Sequence, residues 1–126
     1  MVAGMERVFT HAEATALLGR LTDLLTGLRT AQRAAVEQAG EHGRHTTSTN
    51  GSAAAAATAS GPFLDVQRLA GEVENLGVIL RDPDTGLVDF ASVRDGEQIY
   101  LCWRLGEDRI EFWHPRDTGF IGRQPL

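Results

Sequence analysis

The sequence is first informative for what it lacks. It contains one cysteine, no lysine and no apolar run of the length needed to cross a bilayer. A single cysteine, Cys102, cannot form an internal disulfide, so packing and hydrogen bonds must hold the fold. The N-terminal residues also lack the apolar core of a signal peptide. We therefore expect a cytoplasmic protein with no membrane-spanning segment.

The charge balance argues against a nucleic-acid partner. All twelve basic residues are arginines, they are interspersed with acidic residues, and the formal net charge is −5. Sequence-independent binding to DNA or RNA needs a basic stripe that neutralises phosphates, and no such stripe is present. A pocket formed by a few arginines is compatible with this balance. We expect no nucleic-acid binding and retain a small anionic ligand as an alternative.

The first third of the chain predicts one long amphipathic helix over residues 9–39. Thr10 is a suitable N-cap, and Glu13 three residues later completes a capping box. Apolar side chains then recur at spacings of three and four until Gly40. A helix of this length exceeds what a small domain covers, so it is a candidate surface for self-association or partner binding. The stripe comprises Ala14, Leu17, Leu18, Leu21, Leu24, Leu25, Leu28, Ala31, Ala35 and Val36.

Residues 40–61 and 62–76 differ sharply in composition. The first range is dominated by Gly, Ser, Thr and Ala, which is typical of a low-complexity linker. In the second, Pro62 suits the first turn of a helix, an apolar face follows, and Gly77 provides a C-terminal cap. We predict a second helix over residues 62–76 that forms a hairpin with the first.

The apolar period changes after Gly77 from that of a helix to that of strands. Turn sequences at 82–86, 95–96 and 106–108 separate short extended segments. In the longest of these, Ile99, Leu101 and Trp103 alternate with Tyr100, Cys102 and Arg104. Residues 78–126 thus predict a small antiparallel meander of three to four strands with a tail. The chain reads as a single α+β domain of residues 1–126, with a long N-terminal helical hairpin packed on one face of the meander.

The meander also contains the candidate functional side chains. Tyr100, Arg104, His114 and Arg123 are the residue types that would form a pocket for an anion, since a guanidinium can bind a carboxylate or phosphate with two hydrogen bonds. Structural ion pairs with nearby carboxylates, such as Arg104 with Glu111, are the simpler interpretation. We assign no catalytic residue.

Three residues of the same segment are of metal-binding types. Cys102 and His114 approach each other if the last two long strands pair, and Asp117 follows closely. The usual structural zinc site has four ligands, and the sequence has neither a CxxC nor an HExxH motif. A cysteine is also commonly a small buried apolar residue. We therefore expect no metal and no cofactor, with Cys102, His114 and Asp117 as the weak candidates.

Several strings resemble a bacterial family of uncharacterised proteins, domain of unknown function 2203. They are GLVDF at 86–90, DG at 95–96, YLCWRLGE at 100–107, WH at 113–114, GF at 119–120 and GRQPL at 122–126, together with FTHAEA at 9–14. The resemblance covers the chain except residues 40–61. It implies no activity, substrate or cofactor, because none is assigned to that family.

Two functions are compatible with these observations. The first is a small, non-enzymatic protein that self-associates or binds a partner through its helical hairpin. The alternative is a small-ligand (anion) binding module, or an enzyme, whose pocket is formed by the C-terminal meander.

Overall fold

The computed structural model describes residues 7–44 and 61–126, with side chains for 7–39 and 61–126. Within these ranges none of the helices is long and apolar enough to cross a membrane. The elements in chain order are α1 His11–Ala16, α2 Leu18–Arg44, α3 Pro62–Asn75, β1 Ile79–Asp82, β2 Leu87–Arg94, β3 Glu97–Arg104, β4 Phe112–Pro115, a short 3-10 helix Phe120–Gly122, and β5 Gln124–Pro125.

The predicted α+β class is confirmed. The strands form one antiparallel sheet in sequence order, β1-β2-β3-β4-β5, so each strand pairs with the next along the chain. This is one strand more than the three to four expected from the sequence. The addition is the two-residue strand β5, where Gln124 pairs with Trp113 and Pro125 with Phe112. So short a strand, containing a proline, gives no periodic signal in the sequence.

The long helix differs from its prediction over residues 9–39. The capping box is present: Glu13 donates its backbone N–H to Thr10 Oγ1 at 3.0 Å, and the Thr10 N–H donates to Glu13 Oε1 at 2.8 Å. The helix is interrupted at Leu17, whose N–H donates to the Ala14 carbonyl three residues back rather than four. It also continues past Gly40 to Arg44.

The predicted linker over 40–61 therefore starts too early. Residues 40–44 belong to α2, and the part from 45 to 60 lies outside the described residues. The second helix ends at Asn75, one residue before the predicted end at Leu76.

Helices α2 and α3 pack together on one face of the sheet. Phe9 joins this core, with its ring edge-on to Phe90 at 5.4 Å between centroids. The chain is tied to the sheet there, because the Phe9 N–H donates to the Ala91 carbonyl and the Ser92 hydroxyl donates to the Phe9 carbonyl. The core includes Leu21, Leu25, Leu28, Val73, Val88, Phe90, Ile99, Leu101, Trp103 and Ile110.

The sheet face turned away from the helices, here called the outer face, is also buried in its centre. Alternation along β2 and β3 places Asp89, Tyr100 and Cys102 on it, and all three are less than a tenth exposed. A sheet with only one covered face would leave such positions in water. The side chains that cover the outer face carry the candidate site.

Candidate functional site

Three side chains of the types that bind metal ions meet in the centre of the outer face. Asp89 of β2 lies directly opposite Cys102 of β3, and Cys102 is opposite Phe112 of β4. His114, two residues beyond Phe112, therefore points to the same face one step along the strand. One ligand-type atom from each of Asp89, Cys102 and His114 lies within 4.8 Å of the other two. We call these three residues, which are 2%, 0% and 1% exposed, the buried cluster.

The hydrogen bonds of His114 constrain its protonation. Its Nδ1 is 2.7 Å from the Pro115 carbonyl oxygen, and its Nε2 is 3.0 Å from Asp89 Oδ2. A carbonyl only accepts, so Nδ1 carries a hydrogen and donates. Nε2 then faces a carboxylate oxygen, and two lone pairs at this distance repel. A hydrogen therefore lies between them, bound covalently to the imidazole or to the carboxyl.

The two oxygens of Asp89 have unequal surroundings. Oδ2 accepts from Arg81 Nε at 2.9 Å and also faces His114. Oδ1 is buried and has no hydrogen-bond partner. A buried carboxylate oxygen without a donor is costly, because its hydration is lost and not replaced. The cluster therefore has one saturated and one unsatisfied oxygen.

Cys102 is not activated as a nucleophile in this environment. Burial, with a further contribution from the negative charge of Asp89, raises the pKa of the Cys102 thiol to about 12, and the nearby Arg123 offsets only part of this. The thiolate is the nucleophilic form, so at neutral pH the side chain is an unreactive thiol. Nucleophilic catalysis by a Cys102–His114 pair is not supported.

Arginine side chains lie over the aromatic rings of the outer face. Guanidinium groups stack on aromatic faces through cation–π attraction, which also restricts their motion. Distances from guanidinium carbon to ring centroid are 5.0 Å for Arg81 and 4.8 Å for Arg116 over Tyr100, 4.2 Å for Arg123 over Phe112, and 4.9 and 5.7 Å for Arg123 and Arg104 over Phe120. We call Arg81, Arg104, Arg116 and Arg123 the arginine layer.

The arginine layer is only partly neutralised by ion pairs. Arg123 Nη2 donates to Glu107 Oε1. Burial lowers the pKa of Arg123, but the hydrogen bond to Glu107 and nearby negative groups outweigh this effect and raise it. Arg123 Nε is nevertheless buried without an acceptor.

Arg104 is arranged differently. Its backbone N–H donates to Glu107 at 2.8 Å, whereas its guanidinium has no carboxylate partner among the residues that the structure describes. The prediction of an ion pair between Arg104 and Glu111 is therefore wrong. Glu111 pairs with Arg109 instead, with 3.9 Å between Glu111 Oε2 and Arg109 Nε.

All four side chains predicted to form a pocket lie on the outer face. Tyr100 and His114 are directly opposite in β3 and β4, with ring centroids 5.5 Å apart. Arg104 and Arg123 meet at Phe120, at the other end of the face. The four side chains therefore form two neighbouring pairs, Tyr100 with His114 and Arg104 with Arg123, rather than one pocket.

The weak metal candidates are corrected in one position. Cys102 and His114 come together, but Asp117 is exposed and does not belong to the cluster. Asp89 occupies the third position. A signal for it was available, because Asp89 interrupts the apolar string GLVDF, and a charged residue in a buried strand requires partners. Identifying those partners needs the strand register, which the sequence does not provide.

A cavity in the described part of the chain lies away from the four predicted pocket residues. It has a volume of about 320 Å³, lies between the segment before α1 and strands β2 and β3, and is lined mainly by apolar side chains such as Phe9, Ile99 and Leu126. None of the four predicted pocket residues lines it.

Comparison with known protein families identifies the family of the chain. The sequence model of an uncharacterised conserved protein family, DUF2203, matches residues 7–126. The chain belongs to the DUF2203 family. The match spans every element of this DUF2203 protein from α1 to β5 and includes all three residues of the buried cluster. Searches of curated proteins and of solved structures gave no match.

Proposed function

We propose that the protein is a cytoplasmic small-ligand binding module that holds an anion on its outer face, between Arg104 and Arg123. The observation that supports this most directly is the convergence of these two guanidinium groups on the Phe120 ring, at 5.7 and 4.9 Å. One of them lacks a carboxylate partner, and the other has a buried Nε–H without an acceptor. Arg104 is exposed, so an anion can reach its guanidinium from solvent and, with a shift of the Arg123 side chain, also accept from the buried Arg123 Nε–H.

The chemistry of the two arginines favours a carboxylate or phosphate ligand. A guanidinium presents its donors in a planar fork that matches the oxygen spacing of these anions. Phe120 and Phe112 hold the two forks in place, which reduces the entropy lost on binding. The free buried thiol of Cys102 suits a reducing compartment and supports the cytoplasmic setting.

The test is a titration of the protein with inorganic phosphate, pyrophosphate and citrate, followed by NMR of the arginine Nε–H groups. We expect saturable shifts of the Arg104 and Arg123 resonances. Replacement Arg104→Gln should weaken binding by about tenfold or more, since a hydrogen bond to a charged group contributes about 1.5–3 kcal/mol.

The matched control is Arg20→Gln. Arg20 lies on α2, its side chain is 60% exposed, and its removal changes the net charge equally. It should leave the affinity unchanged. Absence of saturation by all three anions, or equal weakening in both variants, would contradict the proposal, because the latter result indicates a nonspecific charge effect.

A second candidate function is self-association through the helical hairpin. Helix α2 has 27 residues and α3 has 14, or roughly 40 and 21 Å at about 1.5 Å per residue. Large apolar side chains are exposed on both helices, with Val36 at 68% and Leu64 at 51%. A second copy of the chain offers a surface of the same chemistry, which is the basis of an isologous dimer.

A further inference from the structure

The buried cluster has a donor set that its present contacts do not explain. Asp89, Cys102 and His114 come from three adjacent strands and offer oxygen, sulfur and nitrogen atoms within 4.8 Å of one another, all shielded from water. We propose that these three residues bind a divalent transition-metal ion of the zinc class, through Asp89 Oδ1, Cys102 Sγ and His114 Nε2. This site is separate from the anion site proposed above and does not depend on it.

The orientation of His114 is that of a metal ligand. Its Nδ1–H donates to the Pro115 carbonyl at 2.7 Å, and this places the Nε2 lone pair toward Asp89 and Cys102. Histidines that bind metals almost always donate their second ring N–H to a backbone carbonyl or carboxylate, because this fixes the tautomer and the ring plane. With a metal ion bound, the Nε2 lone pair is a ligand, and the 3.0 Å contact from Nε2 to Asp89 Oδ2 is replaced by coordination.

Asp89 provides the second and independent indication. Its Oδ1 is buried and has no hydrogen-bond partner, while Oδ2 is held by Arg81 at 2.9 Å. A metal ion bound to Oδ1 satisfies this oxygen and leaves the Arg81 contact intact. Arg81 then acts as a positioning residue, because it fixes the carboxylate plane from the other side.

Charge balance is consistent with such a site. On metal binding the Cys102 thiol loses its proton to solvent and becomes a thiolate, and the proton shared by His114 and Asp89 also leaves. One thiolate and one carboxylate then neutralise a divalent ion, with His114 as a neutral ligand. The ion and its three ligands then carry no net charge, which avoids the large cost of an unpaired ion in a poorly hydrated interior, and the neighbouring charge of Arg81 lies on a side chain that is 43% exposed.

The donor types select the metal. Mg²⁺ and Ca²⁺ prefer oxygen ligands only, whereas Zn²⁺ and Co²⁺ accept mixed sulfur, nitrogen and oxygen sets. Zinc bonds of about 2.0–2.3 Å imply ligand separations of about 3.4–3.6 Å in a tetrahedron. One ligand atom from each of the three residues already lies within 4.8 Å of the other two, so side-chain shifts bring them to these separations. Three protein ligands leave a fourth position for water or another small ligand.

The competing explanation is a purely structural ion pair, with a proton between His114 and Asp89. It accounts for the 3.0 Å contact. It leaves Oδ1 without a hydrogen bond, and the only role it gives the thiol is the interaction with Asp89 that adds to burial in raising the pKa of Cys102. The two explanations differ in whether the cluster takes up a metal with its sulfur as a ligand.

The experiment is a titration of metal-free, full-length protein with Co²⁺, followed by competition with Zn²⁺. We expect one equivalent to bind, with a sulfur-to-cobalt charge-transfer absorption that Zn²⁺ abolishes. Cys102→Ser is nearly isosteric and should lose this absorption, and His114→Gln should weaken binding at least tenfold. Asp117→Asn, which removes an exposed acidic residue of the same segment, is the matched control and should bind as the unaltered chain does.

Each outcome bears on the proposal. Circular dichroism first establishes that the variants are folded, and Cys102→Ala replaces Cys102→Ser if the latter is not. Absence of stoichiometric Co²⁺ binding, or an absorption that persists without Cys102, would overturn it. The anion site is judged separately, because Arg104→Gln should bind Co²⁺ normally. Loss of anion binding in that variant therefore leaves the metal site standing.

Discussion

Asp89 is the side chain whose environment is hardest to satisfy. It is 2% exposed and places a carboxyl group in the middle of a sheet, yet only one of its oxygens is hydrogen-bonded. Removing one member of a buried ion pair commonly costs about 3–5 kcal/mol, since the other charge stays buried. Arg81 and His114 share Asp89, so their contributions are coupled and their individual losses should not add.

Cys102 should be unreactive in the folded, metal-free protein. Its side chain is fully buried, and burial raises its pKa to about 12, so almost no thiolate is present at neutral pH. We expect an alkylating reagent such as a maleimide to label it only as fast as the protein opens, and to label it rapidly in denaturant. Stoichiometric labelling of the native protein within the mixing time would contradict this burial.

The sequence predicts which side chains of β3 lie on the outer face, but it does not predict which residues of the other strands meet them there. Alternation in β3 correctly separated Tyr100, Cys102 and Arg104 from the apolar residues of the core. The partner of Cys102 could not be found in this way, because a shift of one residue in register would place Asp89 on the opposite face. Asp117 is closer in sequence to His114 but is exposed and lies outside the cluster.

Among the elements, the turns of the sheet depend on two glycines in different surroundings. Gly86 precedes β2 with φ +74°, and its carbonyl accepts from the Leu105 N–H at 3.0 Å. Gly96, with φ +80°, follows Asp95 in the two-residue turn between β2 and β3. A Cβ at Gly86 would lie 2.5 Å from Leu105 Cβ, whereas one at Gly96 meets nothing within 4 Å.

These surroundings predict different costs for the same substitution. Gly96→Ala should lower the free energy of unfolding by about 1–2 kcal/mol, from left-handed backbone strain alone. Gly86→Ala carries this strain and a collision next to the backbone, which should add about 1–3 kcal/mol. Urea unfolding at constant m-value measures both changes. Equal losses in the two variants would show that the close approach of Gly86 to Leu105 has been relieved without cost.

Helix boundaries were predictable where a local interaction sets them. The capping box at Thr10 and Glu13 is a short-range pattern, and it forms as expected. The interruption at Leu17 and the continuation of α2 beyond Gly40 were not predicted. Glycine disfavours a helix by only about 1 kcal/mol, so it does not end one by itself.

In the molecule as a whole, the sheet is covered on both sides by different means. On one face α2 and α3 bury a conventional apolar core. On the other, arginine side chains stacked on Tyr100, Phe112 and Phe120 lie over the face that holds the buried cluster. The apolar pattern predicted the first layer. The second depends on contacts between residues far apart in sequence, such as Arg81 with Tyr100, which no local period reveals.

Substitutions on the exposed face of the helical hairpin test whether the protein is a monomer or self-associates. The leucines Leu25 and Leu28 of the predicted stripe are fully buried in the core, so replacing them would unfold the chain rather than report on association. Val36 and Leu64 are exposed, and the double variant Val36→Asp/Leu64→Asp should leave the core intact.

If the hairpin self-associates, light scattering over a range of concentrations should give a dimer mass for the unaltered chain and a monomer mass for this variant. Each buried carboxylate would oppose the interface, because desolvation of an unpaired charge is costly. Val93→Asp, at a residue 53% exposed on β2 away from the hairpin, should remain dimeric. A monomer mass for the unaltered chain at every concentration would exclude self-association and leave the outer face as the functional surface.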